Sequence, residues 1–429
     1  MPDLIRFELK KIVTRKTTLV TCVVVFAIVC GVMGLNILQA DYSTPSGNKF
    51  SGLAAIEQER AAVSEHACTL TPERIADEIA AYQELAFSKA APEELASMSD
   101  SAAYQLMRER CTDEEFDALY NPLARYLLAA WSASPGEPYQ TAARMALAGT
   151  DPATFYDRLA ERTQSTVATG LDPAAEANMH FTQPEGDLWL AKQTEVSAAA
   201  PLEYGYAGGW EDILNCAAFL IFPLIAICIA LAPVFSAEYA ERTDALLLAA
   251  RHGRTKLVAA KLAASGLFAV AYFTLCAAVI VAVPLACYGA GGADLPVQLF
   301  SSKSPCALTM TQATAVAIGL GYAFMLGVGG LTLLLSSKLR SQVAVFAVGV
   351  LLMLGPVFVG TGGNEVLVRV LYLFPVNALN PTPLFWSFVS YGVGPVALDV
   401  AGMVLVVWLA LALISTPLSA RSWRRHQVV

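Results

Sequence analysis

Charged residues are scarce in this chain. Asp, Glu, Lys and Arg make up 15% of its 429 residues, against about a quarter in an average soluble domain. That shortage excludes an ordinary soluble protein. Catalytic signatures are missing as well. No GxxxxGK[ST] loop is present to cradle phosphate, and neither HExxH nor GxSxG occurs. The histidines, His66, His180, His252 and His426, stand far apart, and no Cys-x-x-Cys spacing accompanies them. The pattern therefore excludes a metal site, a catalytic site and an ATP site within the chain, and nothing in it addresses nucleic acid.

The charge that exists is unevenly placed. Residues 40–212 hold 28 of the 36 acids and 11 of the 28 bases, a net of −17. The remainder is mostly apolar and basic. Two materials share one chain: an acidic soluble block and a membrane block. Six segments are long and apolar enough to cross a bilayer as helices: 18–39, 213–235, 258–285, 313–335, 343–361 and 396–416. The first is too long, and its end too poorly shaped for cleavage, to read as a signal peptide.

Lys and Arg in the short flanks set the orientation. Fifteen lie on one side: Arg6, Lys10, Lys11, Arg15 and Lys16; Arg242, Arg251, Arg254, Lys256 and Lys261; Lys338 and Arg340; Arg421, Arg424 and Arg425. The short loops of the other side hold Lys303 and Arg369. Both termini are expected in the cytoplasm and residues 40–212 outside a plasma membrane. The expected fold is an all-α, polytopic membrane protein with six transmembrane helices and a large helical extracellular domain between spans one and two. Its parts are a cytoplasmic amphipathic entry helix (1–17), span one (18–39), the extracellular domain (40–212), span two (213–235), a cytoplasmic segment (236–257), spans three to six (258–416) with an outer loop at 362–395, and a tail (417–429).

The acidic block reads as helical. Thr71-Pro72-Glu73 supplies a cap, a first-turn Pro and a first-turn acid, with Ile75, Ile79, Tyr82 and Leu85 as one stripe behind them. Thr112 to Glu115 reads as a capping box ahead of Phe116, Leu119 and Leu123. Asn121-Pro122 reads as a break or kink, and Asp151-Pro152 as a start ahead of Phe155 and Leu159. About 170 residues suffice for a core of their own. Its acidity is either a solvated surface or a lure for a cationic ligand. Cys68 and Cys111 in this block, and Cys287 and Cys306 around one short outer loop, are two possible disulfides.

In the fourth span Ala315, Gly319, Ala323 and Gly327 put a small residue at every fourth position, so a second helix can approach closely. No span carries an ionisable group near its midplane, and Asp399 sits at the outer end of the sixth. A carrier driven by an ion gradient normally needs such groups. The energy source is therefore expected outside the chain.

The segment Phe235 to Leu262, FSAEYAERTDALLLAARHGRTKLVAAKL, sets Leu246, Leu247 and Leu248 among charges, as an amphipathic helix at the cytoplasmic interface does. It resembles the signature of type-2 ABC exporter permeases: F-x-x-E, then G-T, a Leu-rich run, P-x-S-R, and a Lys seven residues on. Phe235, Glu238, Thr243, the leucines, Arg254 and Lys261 fall in register. Arg242 stands where that family has Gly, Arg251 where it often has Pro, and Gly253 where it often has Ser. Leu4 to Leu19, with Glu8, Lys10 and Lys11, is similar to the family's amphipathic entry helix. Val370 to Trp386, with Pro375, Pro381 and Pro383, is similar to its short outer helices, a partly inserted gate with Trp386 at the outer interface.

The resemblance implies an export permease with no cofactor of its own. ATP would be used by two cytoplasmic ATPase subunits, and a second permease copy or paralogue would complete the path for an exported substrate. It implies ATPase-coupling roles for Glu238, Thr243, Arg254 and Glu8. Two other readings stay open: a membrane-anchored extracellular binding or sensing module, which needs no ATPase, and an ion-driven secondary carrier, which needs no ATP.

Overall fold

The computed structural model describes residues 1–131, 137–250 and 253–425. Arg251, His252 and His426 lie outside the described residues.

Five helices are long and apolar enough to cross a membrane: Lys16–Leu38, Gly208–Ala240, Lys256–Cys287, Met310–Lys338 and Val400–Arg425. The first buries one stripe only, Val25, Val29, Met33 and Ile37 at four-residue spacing, and leaves Val20, Val23, Val24 and Ile28 exposed. In lipid that apolar outer face needs no partner. The segment expected as a fifth span, 343–361, is shorter. It is an α-helix, Gln342–Leu354, continued by a 3-10 turn, Gly355–Phe358. At about 1.5 Å per residue it reaches about 25 Å, short of a hydrocarbon core of about 30 Å.

The helix Gly208–Ala240 is the central one, with most of its length buried by the others. It is built in pieces: an α-helix Gly208–Cys216, a 3-10 stretch Ala217–Leu220, an α-helix Ile221–Leu231 and a last piece Pro233–Ala240. Pro233 has no N–H and strains the ladder around it. Ser336, from the Met310–Lys338 helix, repairs the break. Its hydroxyl donates to the Ala232 carbonyl at 2.6 Å and accepts from the Phe235 and Ser236 N–H groups at 3.0 and 3.1 Å. Buried backbone groups are thereby satisfied where no water is at hand.

The Met310–Lys338 and Val400–Arg425 helices pack closest. A Cβ on Gly327 would lie 2.5 Å from the Trp408 ring, and one on Gly330 2.5 Å from Ser415 Oγ. Within the four-residue stripe, Gly327 thus does what the spacing predicts. Gly319, by contrast, faces open space.

The acidic block is helical as expected, and its turn chemistry reads correctly. Thr71 caps Pro72–Lys89 by accepting from Arg74 N–H, and Thr112 and Glu115 form a capping box. Asn121-Pro122 is a fresh start, not a kink. Pro122 opens the helix Pro122–Trp131, and Asn121 Oδ1 accepts from Ala124 N–H at 2.7 Å. Ile75, Ile79, Tyr82, Phe116, Leu119, Leu123 and Phe155 are buried together. Leu85 and Leu159 sit at the edge of that core.

Two expectations need correction. The fold is not purely α: three short antiparallel pairs join Asp41–Ser43 to Lys49–Ser51, Cys68–Thr69 to Glu203–Tyr204, and Ser390–Val393 to Val396–Asp399. Each closes a place where a helix would leave backbone groups unpaired. Nor does the acidic block keep a single separate core. Val167 on the helix Phe155–Leu171 and Trp189 on the helix Gln183–Ala198, with Met179 and Phe181 between them, belong to the core of the long helices. Its last third is welded to the membrane body.

Candidate functional site

A lysine in an apolar helix cannot stay charged and buried without counter-ions. Lys261 stands in the helix Lys256–Cys287 and is 1% exposed. Its Nζ donates to Glu8 Oε2 at 3.0 Å, to Glu238 Oε1 at 2.9 Å and to the Val234 carbonyl at 3.1 Å. Glu8 and Glu238 are themselves buried. Lys11 closes the group from its rim, donating to Glu238 Oε1 at 2.5 Å. Thr243 Oγ1 donates to Glu238 Oε2 at 2.8 Å, and its N–H bonds the Glu238 carbonyl at 3.0 Å. Two lysines face two glutamates, so the cluster is neutral as built.

Three elements meet there. The entry helix Pro2–Val13 lies against the Lys256–Cys287 helix, and Pro233–Ala240 ends the segmented central helix. Of the residues expected to couple, Glu8, Glu238 and Thr243 are brought together. Arg254 is not among them. Its guanidinium donates to the carbonyls of Arg424, at 2.9 Å, and Leu248, at 3.4 Å, and so ties the loop to the end of the last helix. The C-terminal tail is thus helical to Arg425, and Trp423, fully buried, packs on Phe235 and Tyr239.

The expected interfacial helix over 236–257 is two pieces. After Ala240 the chain turns through Arg242, whose φ of 57° lies in the left-handed region, and then forms only a six-residue helix, Asp244–Ala249. This explains the Gly in the resembled signature: glycine takes that conformation without steric cost, and arginine does not. The Gly at 253 has its own reason, since a Cβ there would lie 1.6 Å from the Leu247 carbonyl oxygen. Leu248 is buried and Leu246 is 77% exposed, an apolar knob beside the cluster.

The sequence places Lys261 in register with the signature but assigns no partner to it or to Lys11. The available signal was physical: a lysine flanked by apolar residues on both sides inside a helix requires acids facing it, and Glu8 and Glu238 are two of the eight acids outside the acidic block.

A second polar network lies at the other end of the long helices. Lys192 of the Gln183–Ala198 helix donates to Asp399 Oδ2 at 2.6 Å, and Asp399 also caps the last helix by accepting from Gly402 N–H at 2.8 Å. Arg369 donates to the His180 carbonyl at 2.6 Å and reaches Glu185 at 3.3 Å. His180 Nδ1 bonds the Glu365 carboxylate. The acidic block is therefore latched to the short helix Glu365–Leu371 and to the hairpin before the last helix.

The His180–Glu365 pair makes this latch sensitive to pH. The hydrogen bond to Glu365 raises the His180 pKa, while burial and Arg369 oppose it; the Glu365 pKa is lowered by the bonds from His180. A raised histidine contributes stability that is complete below its ordinary pKa of about 6.5 and lost as pH rises through the raised value. A lowered carboxylate contributes above its ordinary value of about 4.3, and that part is lost as pH falls through the lowered one. The latch is tightest between them. Amide exchange over 364–371, corrected for intrinsic rates, is expected to be slower at pH 6 than at pH 9. His180→Gln should remove the difference, and equal protection at both pH values would refute the latch.

In the structure all nine cysteines stand as thiols, Cys68, Cys111, Cys287 and Cys306 among them. Cys111 is buried in the core of the acidic block, where Cys68 borders it. Cys306 Sγ instead accepts from Lys192 Nζ at 3.7 Å. Among the described residues no group of His, Cys, Asp or Glu is placed to hold a metal.

Long apolar helices with a buried charge cluster at one end of them define a polytopic helical membrane protein. A family model described as ABC-2 family transporter protein matches residues 3–415, and the chain belongs to that family. Its members are multi-pass membrane permeases of ABC transporters, in which a partner hydrolyses ATP. Comparison with curated proteins and with solved structures gives no match.

Proposed function

We infer that this chain is the permease subunit of an ABC exporter, driven by a cytoplasmic ATPase that docks on the Glu8–Lys261–Glu238 end. In this reading both termini are cytoplasmic, the segment Gln342–Phe358 completes a sixth span, and residues 40–212 lie outside. A second permease copy or paralogue completes the path. The observation that carries the reading is the buried cluster. It joins the entry helix, the end of the central helix and the start of the Lys256–Cys287 helix, so that a push on any one is delivered to the other two. The exposed Leu246 offers the apolar contact an ATPase groove would take. Rigid-body tilting of packed helices is the matching motion.

The test is ATP hydrolysis by the reconstituted complex. Glu238→Gln keeps the shape of the side chain and removes its charge. It is expected to leave ATPase binding in place and to lower permease-stimulated hydrolysis at least tenfold, a loss of about 1.4 kcal/mol or more in coupling. Unchanged stimulation with the variant fully folded would sink the coupling role. Vectorial transport by the chain alone, driven by an ion gradient, would favour the secondary carrier.

A further inference from the structure

The helix Phe155–Leu171 carries two arginines, Arg158 and Arg162, four positions apart on one face, where like charges repel. Although the block around them is acidic, neither has an ion-pair partner among the described residues. Arg162 Nη2 donates to the Ala130 carbonyl at 2.8 Å, at the end of the helix Pro122–Trp131. One N–H serves that helix end, and Nη1 stays buried with no acceptor. Arg158 lies over the Trp131 ring, 5.9 Å from its centroid. Trp131 is 8% exposed, and its indole N–H is likewise buried with no acceptor. Burial lowers the Arg162 pKa, and Arg158 adds to the effect. Buried donors left without acceptors are costly.

Trp131, Arg158 and Arg162 line one cavity of about 260 Å³, with Phe155, Leu159 and Ser165. Glu161 is at its rim, exposed. A second cavity of about 550 Å³ begins at the same Ser165 and follows the same helix past Thr166 and Thr169. Its apolar walls are Met179, Phe181, Val368, Trp386 and Phe388, and its acid, Glu176, is exposed. One helix face therefore lines both cavities. It offers cations in its first half and runs between apolar side chains in its second, about 10 Å from Arg162 to Thr169 at 1.5 Å per residue.

We propose that the two cavities take one ligand, a phosphate carried on an alkyl chain, with its head between Arg158, Arg162 and Trp131 and its chain along the second half of the helix. Guanidinium forks match phosphate oxygens, and a charge-assisted bond to an oxyanion is stronger than a neutral one. The indole N–H is a donor only, so it calls for the same acceptor. An anion here meets donors from three side chains and relieves the repulsion between the arginines. The alkyl chain leaves water for the apolar walls of the larger cavity. Free phosphate fills the smaller cavity alone. The test uses neither nucleotide nor ATPase, so the site stands or falls apart from the coupling reading.

The experiment is calorimetric titration of the full chain in phosphatidylcholine nanodiscs, with empty nanodiscs as the blank and three probes: octyl phosphate, inorganic phosphate and octanol. Octyl phosphate is expected to bind saturably and about tenfold or more tighter than inorganic phosphate, because its chain is buried as well. Octanol, without the head, should give no saturable heat. Arg162→Gln should weaken octyl phosphate about tenfold or more, and Arg158→Gln severalfold. Trp386→Ala should weaken octyl phosphate severalfold and leave inorganic phosphate unchanged. Thermal unfolding of each variant checks the fold. Should Arg162→Gln not fold, Arg158→Gln, at an exposed position, decides. Four results would each overturn the site: no saturable heat with octyl phosphate, equal affinity for the two phosphates, octanol binding as tightly as octyl phosphate, or unchanged affinity in the folded arginine variants.

Discussion

Lys261→Met is expected to destabilise the membrane fold by about 3–5 kcal/mol, the largest effect of any single substitution considered for this chain. The cause is not the loss of a favourable ion pair. Glu8 and Glu238 are 5% and 3% exposed, and without Lys261 Glu8 loses its one ion-pair partner among the described residues. Lys11 still serves Glu238. Two carboxylates then share a dry site with one cation at its rim. Glu8→Gln added to Lys261→Met restores neutrality and should recover most of the loss. Replacing Glu8, Glu238 and Lys261 together by methionine should cost less than Lys261→Met alone, because well-packed apolar side chains can replace a buried ion group with little net change. Thermal unfolding in detergent measures all three. A single variant as stable as the parent would show that the cluster is hydrated and that the charges are not truly buried. The same physics predicts that Glu238→Ala is a poor coupling test, because it removes a buried partner of Lys261 and confounds folding with signalling.

Gly327→Val should cost about 1–3 kcal/mol by overpacking. The new Cβ would meet the Trp408 ring at 2.5 Å and the Trp408 carbonyl oxygen at 3.0 Å. Trp408 has little room to move. It is 3% exposed, its Nε1 donates to the Leu373 carbonyl at 2.7 Å, and Phe324 packs edge-on against it. The helices Met310–Lys338 and Val400–Arg425 must therefore separate, carrying with them the hairpin of Ser390–Val393 and Val396–Asp399. Gly319→Val is the internal control, since nothing lies within 4 Å of a Cβ there, and it should stay close to the parent. Equal stability of the two variants would show that the helix contact has slack.

Much of this was legible in the sequence. The long apolar runs locate the five long helices because lipid tolerates little else, and caps such as Thr71 and Thr112 act locally, through neighbours three residues away. The fifth span was drawn too long because composition does not reveal where the α-helix gives way to a 3-10 turn at Gly355. The hairpin Ser390–Val393 with Val396–Asp399 was missed because its pairing is stabilised by contacts to the distant helix Gln183–Ala198. The candidate site was half legible. Glu238 and Thr243 lie five residues apart and could be read together, whereas Glu8 and Lys261 are 253 positions apart. Charge accounting narrows the partners of Lys261 to the few acids outside the acidic block, and the fold selects Glu8 and Glu238 among them.

That separation also orders the chain's manufacture. Glu8 leaves the ribosome long before Lys261 is synthesised, and Glu238 follows with Lys11 made but Lys261 still missing. Until the Lys256–Cys287 segment enters the bilayer, the nascent protein holds two acids with a single lysine, Lys11, to serve them, and its first helix has no berth. Insertion of that segment is the step that seals the amino-terminal end, and a chain cut short before it keeps Glu8 without its lysine.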